Sequence, residues 1–461
     1  MNKKLNKAVI LLAWLFLWQI TAFFVNNPIY FASPLEVLLE IVSKAADRGF
    51  WLSICGSLLR ITTGFIISGS LAFIMAFVCF RFKCLRDFLS PAVTFFKSVP
   101  IAAVVVVLLI WWGPRYLVLC ISMMVVFPNV YHNMLTGISN ADRSLIEMSD
   151  VFKTRWIDRF LWIYRPSYLP YLHSAVSVSL GMCFKSGIAA EVIGLPEFSI
   201  GERLYRDKIY LNTAGVFAWI VVVLILSSVT ERLIGVLLKR LSNVPSCIDL
   251  TERENHGRKY EAENRKMTSY SVIADRIIKK YDDRVVIDTD LKLIPGQIYS
   301  IKAPSGSGKT TLLKILSGIL KPDSGTVQTG SISMVFQDDR LIPNANGLRN
   351  LRYALCSGNL RKEYLKLLPA DTLGLPASSL SGGERRRLCI LRAMLRHSQI
   401  VIMDEPFAGL DEATKQYTAD WILKNLNGRT LIYTAHDPDP VIWPGSEEIK
   451  LIDKKRPAKG E

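Results

Sequence analysis

Long apolar runs dominate the chain up to about Lys239, and ordinary globular sequence follows from about Met267. A helix needs about 20 apolar residues to cross roughly 30 Å of hydrocarbon. Apolar stretches near that length lie at 8–25, 56–80, 92–112, 116–136, 173–194 and 213–238. The pattern predicts an all-α membrane domain of about six transmembrane helices, and an even number returns the chain to its starting side.

The polar segment that follows the last apolar run is rich in Glu, Arg, Asn and Lys and has no sustained period. We therefore predict a transmembrane domain at 1–241, a linker at 242–267 and a globular domain at 268–461. The first apolar run could be a signal peptide, but it is long for one and ends in the bulky residues Phe23, Phe24 and Val25. We interpret it as an uncleaved span.

The formal charge of +16 could indicate a nucleic-acid partner, but many of the cations flank apolar runs. Basic residues lie at Arg81 to Arg86, in the loop 143–159 and at Lys239–Arg240. Because cytoplasmic loops gather Lys and Arg, the charge predicts membrane orientation with the globular domain in the cytoplasm, and no nucleic-acid binding. The eight cysteines lack metal-ligand spacing and are interpreted as reduced structural thiols.

The octet at 303–310, Ala-Pro-Ser-Gly-Ser-Gly-Lys-Thr, lies between a strand pattern and a helical pattern. Such a loop binds phosphate because small residues let backbone N–H groups approach it. Lys309 is expected to reach the β- and γ-phosphates and Thr310 to ligate Mg²⁺. Alone, the octet would fit many nucleotide-binding enzymes, and Ala303 replaces the usual first glycine. The predicted ATP-binding residues here are Ser305, Gly306, Ser307, Gly308, Lys309, Thr310 and Thr311.

A second apolar strand pattern, Ile400–Met403, leads into Asp404 and Glu405. One carboxylate at such a strand end can hold hydrated Mg²⁺ while the other polarises the attacking water. We assign the metal role to Asp404 and the catalytic role to Glu405. A strand that merely ends in a charged turn is the alternative interpretation.

A glycine turn starts another helical pattern at Leu380-Ser381-Gly382-Gly383-Glu384, where a hydroxyl and backbone N–H groups can meet an anion. With this pentapeptide the chain resembles the ATP-binding cassette transporters, although Glu384 stands in the last place of the family's signature. The resemblance implies an α/β P-loop ATPase with a helical subdomain, which hydrolyses ATP with Mg²⁺. It also implies that Ser381, Gly382 and Gly383 contact ATP bound by a second copy of the chain.

Further family motifs occur in the expected order. The resemblance implies that Gln337 contacts Mg²⁺ and the attacking water, that Asp411 lies in the D-loop, and that His436 contacts the γ-phosphate. Tyr281 resembles the aromatic residue that stacks on adenine, and a core or surface tyrosine is the alternative. By subtraction, 44 positions separate Gln337 from Ser381, so the helical insert between them is expected to be short.

The loop from Ile146 to Pro170 resembles the coupling loop of bacterial importer permeases. Glu147 and Pro166 match that pattern and Ser149 is small, whereas Met148 and Lys153 replace small residues. An amphipathic surface helix is the alternative interpretation.

Segments around Arg60, Lys97 and Glu191, and the cassette segment Asp338–Pro343, resemble importers of nitrate, taurine, alkanesulfonates and thiamine precursors. As ionisable residues near or inside spans, Arg60, Lys97, Lys185 and Glu191 are candidates to line a path, although basic side chains near helix ends can also extend to the headgroups.

The leading hypothesis is half of an ATP-driven importer in the cytoplasmic membrane of a bacterium. The homodimer would take a small solute from an extracytoplasmic solute-binding protein across the lipid bilayer. Two alternatives stay open: an exporter, although the cytoplasmic loops are short for one, and a non-transporting ATP-driven signalling or mechanical complex.

Overall fold

The computed structural model describes residues 3–242, 271–282, 284–304, 306–354, 364–435, 443 and 445–450. The chain divides by its contacts into two compact units. One unit combines Met1–Ala141 with Arg165–Pro245, and the other combines Asp142–Tyr164 with Ser246–Glu461. The loop 142–164 therefore groups with the C-terminal part of the chain. The predicted linker at 242–267 lies almost wholly outside the described residues, and the proposed domain boundaries stay predictions.

The first unit is helical, as expected from its apolar pattern. Its helices are Lys3–Val25, Pro34–Ala45, Arg48–Arg81, Lys83–Ser98, Ile101–Ser139, Arg165–Gly194, Ile200–Ile209 and Thr213–Ser242. Within the described residues, four helical stretches are long and apolar enough to cross a membrane: Arg48–Arg81, Ile101–Ser139, Trp156–Gly194 and Thr213–Arg240. In the third stretch, the short helix Trp156–Arg159 and a π-helical turn at Phe160–Tyr164 continue into the helix Arg165–Gly194. A shorter apolar helix covers Leu12–Val25.

The stretch expected to form one span at 92–112 is not a continuous helix. A helix ends at Ser98, Val99 is extended, and Pro100 precedes the next helix. The residue before a proline avoids helical backbone angles, which explains the break. The helix Ile101–Ser139 is itself interrupted at Gly113, where φ is 68° and ψ is −179°. This interruption falls between the apolar stretches 92–112 and 116–136.

An ion pair lies inside the membrane unit. Glu191 is fully buried and accepts hydrogen bonds from Arg60 Nε at 3.0 Å and from the Ser57 hydroxyl. Ser57 Oγ in turn accepts from the backbone N–H of Ile200 at 2.8 Å. A buried carboxylate needs such partners, because leaving it unpaired costs several kcal/mol (~3–5). These bonds join the helices Arg48–Arg81 and Arg165–Gly194 to the start of the helix Ile200–Ile209.

The second unit contains two sheets and the predicted α/β arrangement. Its strands are β1 Val272–Tyr281, β2 Arg284–Leu293, β3 Ile298–Lys302, β4 Ser324–Thr329, β5 Ile332–Val335, β6 Ile400–Met403, β7 Thr430–Ala435 and β8 Glu447–Lys450. One sheet has the antiparallel order β2-β1-β4. The other has the order β5-β6-β7-β3-β8, in which the neighbouring strands are parallel.

Helices cover the parallel sheet and supply its core. Those outside the loop 142–164 are Lys309–Leu316, Gly347–Ala354, Gly382–Leu395 and Glu412–Lys424. Apolar residues of β5, β6 and β7 pack with Leu388, Ile390 and Leu391 in one buried cluster. Between Gly347–Ala354 and Gly382–Leu395 the described residues form short 3-10 turns. Because the parallel strands end at a common edge, the residues that follow β3, β5, β6 and β7 lie near one another there.

Candidate ATP site and coupling surface

The phosphate loop joins β3 to the helix Lys309–Leu316. Gly308, immediately before this helix, has φ +96°, and a Cβ there would lie 2.8 Å from Ile287 Cδ1. Gly306 also has positive φ, so both glycines are required by backbone geometry. Lys309 is buried and its ammonium donates to the carbonyl of Ala303. Ser305 lies outside the described residues.

A hydroxyl inside this loop is available for a ligand. Ser307 Oγ is buried and has no hydrogen-bond partner within the described part of the chain. An unpaired buried hydroxyl costs about 1–3 kcal/mol, which an incoming phosphate oxygen would offset. Thr310 and Thr311 occupy the first turn of the helix, where hydroxyls and backbone N–H groups can bind an anion.

Asp404 follows β6 at the carboxyl edge of the parallel sheet. Its side chain is buried, and Oδ1 accepts from the Thr434 hydroxyl at 2.8 Å. The other carboxylate oxygen, Oδ2, is buried without a hydrogen-bond partner among the described residues. A buried carboxylate oxygen of this kind can coordinate a cation. No cluster of three or more His, Cys, Asp or Glu occurs in the described ranges, but Mg²⁺ in nucleotide sites takes one or two carboxylates and completes its shell with phosphate and water.

Glu405 and Gln337, two of the predicted catalytic residues, are brought together. Gln337 Nε2 donates to Glu405 Oε1 at 3.4 Å. Glu405 has φ 49°, and its backbone N–H donates to Thr434 Oγ1 at 2.8 Å. Thr434 thus bonds both acids that follow β6. His436, the third predicted catalytic residue, lies outside the described residues.

The signature segment begins the helix Gly382–Leu395, which we call the signature helix. Ser381 caps it, since Ser381 Oγ accepts from the Glu384 N–H at 3.3 Å. Glu384 Oε2 accepts from the Ser381 N–H at 2.9 Å and from its hydroxyl at 2.8 Å. The Ser381 N–H, with smaller contributions from its hydroxyl and other neighbours, lowers the pKa of Glu384 below its ordinary value. The glutamate that departs from the family signature therefore completes a capping box.

The D-loop, residues 408–411, lies against the signature helix, because a Cβ on Gly383 would come within 3.4 Å of Leu410 Cδ2. Asp411 caps the helix Glu412–Lys424 through the Thr414 N–H at 2.7 Å. Hydrogen bonds from the Thr414 side chain and backbone lower the pKa of Asp411. Tyr281 ends β1, is 49% exposed, and has the Lys279 ammonium 5.9 Å from its ring centroid. An exposed ring is compatible with base stacking, and the adenine contact stays a prediction.

Arg386 is a buried part of this site that the sequence did not single out. It lies in the run of three arginines Arg385–Arg387. Its guanidinium donates to backbone carbonyls of the segments that carry Gln337 and Glu405. Helical periodicity could have indicated its burial, because position 386 shares a helix face with the buried residues Cys389, Ile390 and Ala393.

The loop 142–164 packs onto the ATP-binding part of its unit. Its helix Arg143–Val151 presents Glu147, whose carboxylate pairs with Arg340 Nη1 at 2.9 Å. Arg340 Nη1 also donates to the Ser144 carbonyl at 3.2 Å. Arg340 belongs to the segment Asp338–Pro343, so this segment binds the loop that resembles the coupling loop of importer permeases.

We call the contact between the loop 142–164 and the ATP-binding part the coupling surface. Phe152 is the main apolar residue of the loop in this contact and is fully buried. The guanidinium carbons of Arg392 and Arg396 lie 5.3 and 5.6 Å from its ring centroid. Both arginines are buried, and burial lowers the pKa of Arg392. A cation placed against an aromatic ring gains about 2 kcal/mol when both are desolvated. The signature helix therefore holds the loop directly.

Polar side chains on either side of Phe152 in the sequence contact each other and Tyr353. Ser149 Oγ lies 2.9 Å from Thr154 Oγ1, which lies 3.4 Å from Tyr353 Oη. Lys153, between them, has φ 41°, a conformation that favours glycine. Met148 is fully buried in place of the expected small residue.

Two family profiles match the chain. The profile described as "ABC transporter" covers residues 286–408, and "Binding-protein-dependent transport system inner membrane component" covers residues 68–243. The first includes the phosphate loop, Gln337 and Asp404. The second covers most of the membrane unit and the loop 142–164.

Curated relatives match the ATP-binding part. An aliphatic sulfonates import ATP-binding protein, SsuB 3 of Rhodococcus jostii, is 33% identical over 42% of this chain and 73% of its own length. SsuB 1 of the same organism is 35% identical over 38% of this chain and 76% of its own length. The Fe(3+) ions import ATP-binding protein FbpC of Agrobacterium fabrum is 33% identical over 37% of this chain, and the match spans 56% of that relative.

Proposed function

Since the chain belongs to the ABC transporter family and joins an inner-membrane permease to its ATPase, with ATP hydrolysis coupled to transport, we propose that it is one half of a solute importer. Two copies would form the complete transporter. An extracytoplasmic solute-binding protein would deliver the solute, as the description of the membrane profile suggests.

The coupling surface is the observation that carries this proposal. The ion pair between Glu147 and Arg340 and the enclosure of Phe152 by Arg392 and Arg396 attach a permease loop to the ATPase. Movement of the signature helix during ATP binding and hydrolysis would pull on that loop. A non-transporting complex has no evident need of such an attachment in a loop that matches importer permeases.

The residues of the ATP site support specific roles. The phosphate loop with Lys309 would hold the triphosphate, Glu405 would polarise the attacking water, and Gln337 would orient it. Mg²⁺, held by Asp404, Thr310 and Gln337, would neutralise charge on the phosphates. Ser381, Gly382, Gly383 and Asp411 would complete the site of the second copy, and Tyr281 would stack on adenine.

A small oxyanion or organic solute is the substrate class we favour. Two of the matched relatives are named as import proteins for aliphatic sulfonates, and the permease segments resemble the nitrate, taurine, alkanesulfonate and thiamine-precursor group. Ferric iron is the competing cargo, because iron importers match over a similar part of this chain.

The proposal is tested by capture and reconstitution of the full chain. Capture from mildly solubilised native membranes, with mass spectrometry of associated proteins and their bound small molecules, should yield a solute-binding protein. That protein, its ligand and the chain are then placed in liposomes with ATP, with Glu405→Gln as the inactive control. We expect ATP-dependent movement of the ligand from the side of the binding protein. Outward movement would indicate export, and ATPase activity without solute movement would favour the signalling alternative.

A further inference from the structure

Arg386 is almost completely buried, with 2% of its surface exposed, while Arg385 and Arg387 on either side are only partly buried. A guanidinium has five N–H donors and stays charged, so its burial is costly unless those donors are bonded. Arg386 meets this demand mainly with backbone carbonyls.

The carbonyls belong to two different segments of the ATP site. From the segment after β5, Arg386 Nη1 reaches Phe336 O at 2.6 Å and Gln337 O at 3.3 Å. From the segment after β6, Nη2 reaches Asp404 O at 2.7 Å and also Glu405 O. Nε completes the set by donating to Pro406 O at 3.2 Å.

These bonds act where two catalytic groups must meet. The side chains of Gln337 and Glu405 are 3.4 Å apart at the nearest polar atoms, and their backbones are tied to a single guanidinium. Glu405 also has a positive φ, which a non-glycine residue holds only when its surroundings enforce it. Arg386 supplies part of that enforcement through the Glu405 carbonyl.

We propose that Arg386 is a positioning residue for ATP hydrolysis, which sets the spacing and orientation of Gln337 and Glu405 and joins both to the signature helix. The proposal rests on the hydrolytic roles proposed for those two residues. It adds a physical route by which the signature helix, which also holds Phe152, fixes the catalytic geometry.

Lysine cannot reproduce this arrangement although it retains the charge. The planar guanidinium presents donors along divergent directions, whereas an ammonium is a compact point donor on a flexible stem. In Arg386→Lys we expect one of the two segments to lose its bonds. A displacement of about 1 Å at a reacting group lowers turnover by roughly 100-fold, so we expect kcat to fall about 10- to 100-fold.

The test uses the full chain in nanodiscs and compares Arg386→Lys with Arg385→Lys. The control makes the same substitution at Arg385, one residue earlier. The Arg385 guanidinium is partly exposed and makes only a loose ion pair, at 3.9 Å, with Asp339. We expect the control to retain wild-type kcat. For Arg386→Lys we expect reduced kcat with KM for ATP and ATP affinity close to those of the wild type, and a modestly lower thermal midpoint because buried hydrogen bonds are lost.

A double variant separates positioning from general destabilisation. If Arg386 acts through Glu405, adding Arg386→Lys to Glu405→Gln should lower the residual turnover by less than twofold. Unchanged kcat in Arg386→Lys would overturn the proposal. A joint loss of ATP affinity and thermal stability would also overturn it, because that result indicates a structural role only; if the variant fails to fold, Arg386→Gln gives the same comparison. Wild-type hydrolysis by Glu405→Gln would instead overturn the site assignment within the proposed function.

Discussion

At the scale of single residues, the candidate ATP site combines unsatisfied polar atoms with an unusual backbone. Asp404 Oδ2 and Ser307 Oγ are buried without hydrogen-bond partners among the described residues. Glu405 adopts φ 49° between two buried neighbours, Asp404 and Pro406. Strained backbone and unpaired polar atoms both cost free energy, and they concentrate where ligands bind. Neither feature can be deduced from the motif letters.

Glu405→Gln should reduce ATP turnover to a small residual rate while ATP binding is retained. The amide keeps the shape of the side chain but cannot polarise the attacking water as a carboxylate does. Equilibrium ATP binding and phosphate release are measured on the full chain. Glu412→Gln is the matched control, since that exposed glutamate pairs only loosely with Lys415 at 3.6 Å, and it should behave as wild type. Normal hydrolysis by the Glu405 variant would contradict the assignment.

Lys153→Gly should raise the stability of the chain. Lys153 has φ 41°, where a Cβ is unfavourable by about 1 kcal/mol relative to glycine. Thermal unfolding should show a higher midpoint for the variant. Lys153→Ala removes the charge but keeps the Cβ, so it should show no such gain; an equal gain in both variants would assign the effect to charge instead.

Glu384 should make the signature helix sensitive to acid. Its pKa is lowered in the folded chain, so the ionised form stabilises the fold at pH values above the ordinary carboxyl pKa of about 4.3. This contribution is lost as the pH falls through the lower, folded-state pKa. In Glu384→Gln, the decrease in thermal midpoint between pH 6 and pH 3 should be smaller than in wild type. An identical decrease would show that other groups dominate.

At the scale of elements, the signature helix connects the ATP site to the coupling surface. Ser381 lies at its start, Arg386 one turn further, and Arg392 and Arg396 at its end against Phe152. Arg392 also donates to the Arg340 carbonyl at 2.6 Å, so the Glu147 contact is joined to the same helix. A rigid helix can transmit a displacement along its length of about 21 Å for its 14 residues at 1.5 Å each.

Phe152→Leu should uncouple transport from hydrolysis. Leucine retains most of the apolar volume but removes the ring face that the two arginines contact, which is worth about 2 kcal/mol. We expect basal ATPase activity near wild type and reduced solute uptake per ATP in liposomes. Trp156→Leu replaces another aromatic residue of the same loop that is largely exposed, and it should leave this ratio unchanged. Equal uptake per ATP in the Phe152 variant would exclude the ring from coupling.

Local patterns in the sequence were sufficient for the elements that depend on neighbouring residues. The apolar runs identified the long helices, and the strand, glycine loop and helix pattern at 297–317 matches the observed strand β3 and helix Lys309–Leu316. Long-range pairing was not accessible in this way. The Glu147–Arg340 bond spans 193 positions, and the burial of Arg386 depends on carbonyls from two distant strands. The break at Val99 and Pro100 was missed because hydropathy does not record the backbone restriction that precedes a proline.

At the scale of the whole molecule, residues of both chains would form each ATP site of the proposed dimer. The phosphate loop and the signature segment of one site would come from different copies. Each chain carries one of each segment, so a dimer would have two equivalent sites.

Two inactive variants should therefore complement each other. Lys309→Ala removes the phosphate-loop cation, and Ser381→Arg blocks the signature segment. In a mixed dimer one site carries both defects and the other carries neither. We expect each homodimer to lack ATPase activity and co-expressed, separately tagged chains purified as mixed dimers to regain a substantial fraction. Inactive mixed dimers would contradict the shared site or show that both sites must act together.

The grouping of residues 142–164 with the ATPase unit affects how such a chain can be recombined. In a hybrid transporter made by a single crossover at the linker 242–267, Glu147 and Phe152 would face a cassette from another protein. The residues at the positions of Arg340, Arg392 and Arg396 would then come from that other protein. To keep its own docking surface, a transplanted ATPase unit must include the 23 residues 142–164 as well as the C-terminal part of the chain. Exchange of cargo specificity between related transporters by simple end-to-end fusion would therefore be restricted to partners whose loops and cassettes carry matching residues at these positions.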